Sequence, residues 1–273
     1  MIFIMEEHTI IMGWIQAAAG RTTTVRTETA VASVREAMEE AAVVEAETEM
    51  NGMTQGIISR AERLVQEQLG GDSSGHDWWH LFRVARTARR IAEAEGADVF
   101  VCELAALLHD LADEKLVEDQ EAGQRRIEAW LNETGVSPGD TDHIMEIIRT
   151  VSYSGGHGVP MRTLEGRIVQ DADRLDAIGA IGIGRTFAYG GAKGRLMHDP
   201  AQAPREAMTR EEYRSSGGTA INHFYEKLLK LKDLMNTDTG RALALERHRY
   251  MEGFLEQFYQ EWEGESPMFR KTP

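Results

Sequence analysis

The stretch Val99-Phe100-Val101-Cys102-Glu103-Leu104-Ala105-Ala106-Leu107-Leu108-His109-Asp110-Leu111-Ala112 decides how the chain folds. Apart from Glu103 and the His109-Asp110 pair, every residue in it is apolar or small. Such a run reads as a helix buried on most sides. It closes on an imidazole and a carboxylate, which lose their hydration there. Such groups must be paired, hydrogen-bonded or bound to a metal. Adjacent residues of a helix point about 100° apart. One ion therefore touches both only from above the gap between them, and other segments must complete its shell.

Two segments offer the missing groups. His80 lies in His76-Asp77-Trp78-Trp79-His80-Leu81-Phe82-Arg83-Val84, on a helix expected from about Asp77 to Glu95 and stopped by Gly96. His80, Val84, Thr87 and Ile91 share its inward face at steps of four, three and four. Arg83 flanks the same cavity, a turn from Thr87. Downstream, Val169-Gln170-Asp171-Ala172-Asp173-Arg174-Leu175-Asp176 supplies three carboxylates, any of which is available as a ligand.

The order His80, His109-Asp110, Asp173 resembles the HD superfamily of metal-dependent phosphohydrolases. Arg83-Val84 follows His80 as in the H-x-x-R-V segment of that family, and Ala172-Asp173-Arg174-Leu175-Asp176 resembles its last metal segment. Asp176 to Gly182 and Asn222 to Leu228 are similar to the YedJ/YpgQ-like bacterial branch, and the likeness covers roughly residues 55 to 264. The resemblance implies an all-α helical bundle with one divalent ion held by His80, His109, Asp110 and Asp173. It selects Asp173 among the three carboxylates, and leaves Asp176 one turn on to orient a histidine. Asp110 doubles in positioning water. An acidic residue one turn past the pair, Asp113 or Glu114, is implied in water activation; a solvated helix end is the plainer reading of both.

Nitrogen and oxygen donors suit Mn²⁺, Mg²⁺, Co²⁺, Ni²⁺, Fe²⁺ or Zn²⁺, and spacing does not choose among them. Such an ion acidifies a bound water and neutralises charge on phosphorus. The expected reaction is hydrolysis of a phosphate ester or pyrophosphate bond in a small substrate, a nucleotide by resemblance. His76, Arg83 and Lys227 are the candidate substrate contacts. Lys227 shares a helix face with His223, which suits phosphate or a surface pairing. His143 and His157 fall between Asp110 and Asp173, so a dinuclear iron oxygenase is one alternative. A nucleotide-sensing module without turnover is the other.

The rest of the chain sets bounds. Its 273 residues are 42% hydrophobic and 27% charged, an ordinary globular composition. A net charge of −15 disfavours polymeric nucleic acid. A single cysteine, Cys102, excludes an intrachain disulfide and fits a reducing cytoplasm. No stretch is apolar enough to span a bilayer. Residues 1–52, with 3 Arg against 9 Glu, form an acidic extension unlike the family. It is either an accessory helix or a segment upstream of a natural start at Met53. Residues 53–266 are the expected domain and 267–273 a tail. A helix is expected from Arg167 to about Phe187, then an irregular basic loop over 188–218. That loop carries Lys193, Arg195, His198, Arg205 and Arg210, which suit phosphate contact or a solvated surface. Two C-terminal helices with apolar stripes suit core packing or a homodimer.

Overall fold

Side-chain caps mark the start of six helices: Asp77, Asp98, Asp119, Thr163, Thr219 and Thr237 each accept from a backbone N–H of the first turn. The computed structural model describes residues 24–69, 77–112, 119–151, 160–205 and 218–264. No strand occurs among them. The chain divides into two compact units, residues 1–55 and 56–273. The first long helix, α1 (Thr24–Leu69), runs from one into the other. Its described side chains from 35 to 52 are exposed, whereas Ile57, Ile58, Ala61 and Val65 are buried.

Around the apolar run the second unit layers α2 (Trp78–Glu95), α3 (Val99–Leu108), α4 (Gln120–Glu133), α5 (Pro138–Val151) and α6 (Leu164–Asp176). The Asp77 side chain accepts from the backbone N–H of His80, and Gly96 closes α2 in the left-handed region at φ 71°. Helix α3 packs against α2, α5 and α6, and Leu104, Ala105, Ala106 and Leu108 are fully enclosed. This is the burial on most sides that its sequence requires. At His109 the helix tightens to a 3₁₀ turn, His109–Ala112.

Two expected elements break. The helix expected over 167–187 is two helices, α6 and α7 (Gly179–Ala192). Gly179 turns the chain at φ 75°, with the Arg247 stem packed against it, a conformation that glycine adopts without strain. At the C-terminal side, α8 (Ala220–Glu226) stops where Lys227 leaves helical geometry, and a 3₁₀ turn follows over Leu228–Leu234. Helix α9 (Asp238–Trp262) then closes the unit. Helix α7 also extends to Ala192, so the described non-helical residues of the expected loop are 193–205 and Gly218.

Candidate metal centre

His80 is the third residue of α2, so its position is set by the Asp77 cap one turn below, whose carboxylate accepts from His80 N at 2.9 Å. His109 and Asp110 begin the 3₁₀ turn, and Asp173 projects from α6. These three elements bring the four side chains together. Single donor atoms of His80, His109 and Asp110 lie within 4.8 Å of one another, and all three residues are buried. His80 Nε2 is 3.4 Å from Asp110 Oδ2 and 3.4 Å from Asp173 Oδ1. His109 Nε2 is 3.3 Å from Asp110 Oδ1 and 3.9 Å from Asp173 Oδ1. Asp173 is the most open of the set, at 27% side-chain exposure.

Both imidazoles are oriented from behind. His109 Nδ1 donates to Ala106 O at 2.8 Å, one turn back on α3. His80 Nδ1 donates to Asp176 Oδ2 at 2.8 Å. With a metal ion bound, Nδ1 would keep its proton and each Nε2 would turn its lone pair to the ion, the tautomer a metal ligand needs. Asp176 is in turn gripped by two guanidinium groups. Arg83 donates through Nε and Nη2 at 2.6 and 3.0 Å, and Arg185 donates through Nη1.

The electrostatics of the cluster call for a cation. Burial works to lower the proton affinity of His80, yet hydrogen bonds accepted by Asp110, Asp173 and Asp176 raise it well above the ordinary imidazole value. Asp173 and Asp176 are held below the usual carboxylate range: against the opposing effect of burial, His80 lowers both, and Arg83 and Arg185 lower Asp176 further. A divalent ion would supply the same positive charge through N and O donors. The residues present therefore fit a divalent metal.

Other expected residues fall elsewhere. Arg83 turns its guanidinium to Asp176, with Nη1 left over from the two bonds and 31% of the side chain exposed. Arg185, on α7, escaped the sequence reading, because only the break at Gly179 folds that helix back over Asp176. Asp171, available as a ligand from sequence, faces away: its carboxylate accepts from Asn236 N, Thr237 N and Thr237 Oγ1 at 2.8 Å each. It caps the start of α9 instead. His143 Nε2 lies 2.9 Å from Thr163 Oγ1 and 3.7 Å from Glu165 Oε2, at the far end of α6 from Asp173. Cys102 is buried, and burial pushes its thiol well up from the ordinary value, which removes thiolate chemistry. Lys227 stands at the C-terminal end of α8 beside His223. The Arg205 guanidinium donates to both oxygens of Glu226, through Nε at 2.9 Å and Nη2 at 2.8 Å, so this fork is engaged within the fold. His198 is enclosed by Phe258, Tyr259 and Trp262. His76, Asp113, Glu114, His157 and Arg210 lie outside the described residues.

Comparison with known proteins agrees with this geometry. The family model described as HD domain matches residues 78–178, from α2 to the break after α6. The protein YpgQ of Bacillus subtilis (strain 168) is 42% identical over 205 residues, covering 73% of this chain and 92% of that protein. A crystal structure of an HD-superfamily hydrolase from Bacillus thuringiensis is 48% identical and covers 77% of this chain and 98% of the other, with a TM-score of 0.63. The crystal structure of Bacillus subtilis YpgQ in complex with ADP is 39% identical, covers 75% and 97%, and has a TM-score of 0.61.

Proposed function

We propose, for a chain that belongs to the HD-domain family of metal-dependent phosphohydrolases, that the substrate is a nucleotide and the bond cleaved a phosphate ester or pyrophosphate. His80, His109, Asp110 and Asp173 hold one divalent ion. The observation that carries this reading is the pair of imidazoles whose Nδ1 atoms are both engaged from behind, leaving two Nε2 atoms and two carboxylates facing each other. When bound, the ion supplies acidification of a water molecule and neutralisation of charge on phosphorus.

The side chains divide the remaining work. Asp110, buried at the centre, also accepts a hydrogen bond from the attacking water. Asp113 or Glu114 takes the proton. Arg83 faces the substrate with Nη1 while its other two donors stay on Asp176. Lys227 and His76 contact phosphate. The support for a nucleotide is the ADP in the structure of the similar YpgQ.

A metal-screened hydrolysis assay tests the reading. Protein stripped and reloaded with Mn²⁺, Mg²⁺, Co²⁺ or Ni²⁺ is given nucleoside mono-, di- and triphosphates, with Asp110→Ala as control. Release of phosphate or pyrophosphate that the control loses is expected, and it names the bond. Bound metal without turnover of any compound in the panel would move the weight to a nucleotide sensor, or to an oxygenase if two irons and oxygen uptake accompany it. For the second metal, His143 is a poor donor, being engaged with Thr163 and Glu165.

A further inference from the structure

A second group of basic side chains gathers where α7, the strap 193–205 and α8 meet. In a chain of net charge −15, composition does not predict such a concentration. Arg195 N donates to Gly190 O at 2.8 Å, and Leu196 O and Met197 O accept from Ala220 N and Ile221 N at 3.0 Å each. These bonds stitch the strap across the first turn of α8. The packing there is close: a Cβ on Gly190 would sit 3.8 Å from Ala220 Cβ and 3.9 Å from Arg195 Cβ. His223 follows Ala220 by three residues on one face of α8, and Lys227, at the end of the helix, donates its backbone N–H to His223 O at 3.0 Å.

Arg195 is the unusual member. Its guanidinium lies 5.4 Å over the Tyr189 ring, a held rather than wandering position. Its Nε is buried and has no hydrogen-bond partner. A buried donor without an acceptor costs stability and asks for an acceptor from outside. The neighbouring charge of Arg205 is already matched by both oxygens of Glu226. Burial, and the charges of Lys227 and Arg195, hold His223 down to about 4, so at neutral pH it is an uncharged imidazole able to donate one hydrogen bond.

We propose that Arg195, His223 and Lys227 form an anion subsite for a phosphate group of the substrate other than the one at the metal centre. This rests on the phosphohydrolase reading for its role in turnover, though anion binding itself does not. Helix α7 joins the two places. Arg185 touches Asp176 beside His80, and Tyr189, which carries Arg195, follows one turn and about 6 Å later. The substrate class that spans such a pair of sites is a phosphoanhydride, with one phosphate at the metal and the next along α7.

The probe is inorganic tripolyphosphate, titrated calorimetrically into the full chain without added divalent ion, so that metal contacts contribute nothing. Arg195→Gln, which keeps a stem over Tyr189, is expected to weaken binding at least tenfold. Arg195→Lys, which keeps the charge without the fork, is expected to fall between, and Asp110→Ala to bind as the unaltered chain does. In the metal-loaded enzyme, Arg195→Gln should raise KM for a nucleoside triphosphate at least tenfold with kcat within threefold. Equal tripolyphosphate affinity in Arg195→Gln, or no binding to the unaltered chain, overturns the subsite. Loss of binding in Arg195→Gln beside an unaltered enzyme that hydrolyses nothing leaves the subsite standing and overturns the hydrolysis.

Discussion

Asp171 and Asp176 sit five residues apart on α6, are both buried, and have opposite duties. Asp176 faces His80 and two arginines; Asp171 faces the turn that starts α9. Asp176→Asn should weaken divalent-ion binding roughly ten- to a hundredfold, the usual effect of losing a carboxylate behind a metal-bound histidine. A nitrogen-15 spectrum of His80 should show the Nδ1–H tautomer lost at the same time, which general loosening of the fold would not produce. Asp171→Ala should do the reverse. It strands several donors of residues 236 and 237, lowering stability on the order of 3 kcal/mol in denaturant unfolding while leaving ion affinity of the folded form within about threefold. His223 gives a pH prediction. Its folded value of about 4 lies below the unfolded 6.5, so protonation favours unfolding. Its contribution is complete above pH 6.5 and is lost as pH falls to about 4, on the order of 3 kcal/mol. Unfolding curves of His223→Gln at pH 7 and pH 4.5 should differ by that much less than those of the unaltered chain. The four facing donors were legible from spacing and resemblance, because a buried polar pair in an apolar run demands partners. The resemblance also left Asp176 to orient a histidine, which is where it bonds His80; the duty of Asp171 was not legible, since its partners come from residues 65 positions downstream.

Breaks between elements were harder to read than the elements. Apolar periodicity marked α2, α3 and the later stripes, and Gly96 marked a stop. The end of α6 at Ala177-Ile178 falls in a run expected to be helix, because its small residues permit close packing and the resembling family is all-α. The break is made by packing: Gly179 at positive φ under the stem of Arg247, and Gly182 so near Ala177 that a Cβ would sit 2.2 Å from the Ala177 carbonyl oxygen. Gly182→Ala tests this by its sign. In an unconstrained helix the change stabilises by about 1 kcal/mol. Here it should destabilise by about 2 kcal/mol or more in thermal or denaturant unfolding, because backbone rather than a flexible side chain blocks the methyl group. It should also weaken ion binding, since Arg185 rides on the displaced helix. A gain in stability would mean that the joint has room for the methyl group. The tightening of α3 into a 3₁₀ turn at His109 was equally invisible, as both helix types suit the same apolar residues.

At the scale of the whole molecule, the all-α character was implied by the resemblance to the HD family, and the candidate centre lies wholly within the unit 56–273. A chain beginning at Gly56 should therefore unfold cooperatively and bind a divalent ion with the affinity of the full chain, checked by calorimetry on both; a fragment that binds no ion would show that the acidic extension contributes. No described helix is long and apolar enough to cross a membrane. The Asp171 cap has a consequence for synthesis. Until residues 236 and 237 leave the ribosome, the nascent chain holds a carboxylate at the centre of α6 with none of these donors. Its burial then is strongly unfavourable, so α6 cannot dock finally and the α2–α3 layer remains partly uncovered. Completion of the fold waits for α9, and a ribosome halted before residue 236 would carry a segment for chaperones to shield rather than a nearly finished enzyme.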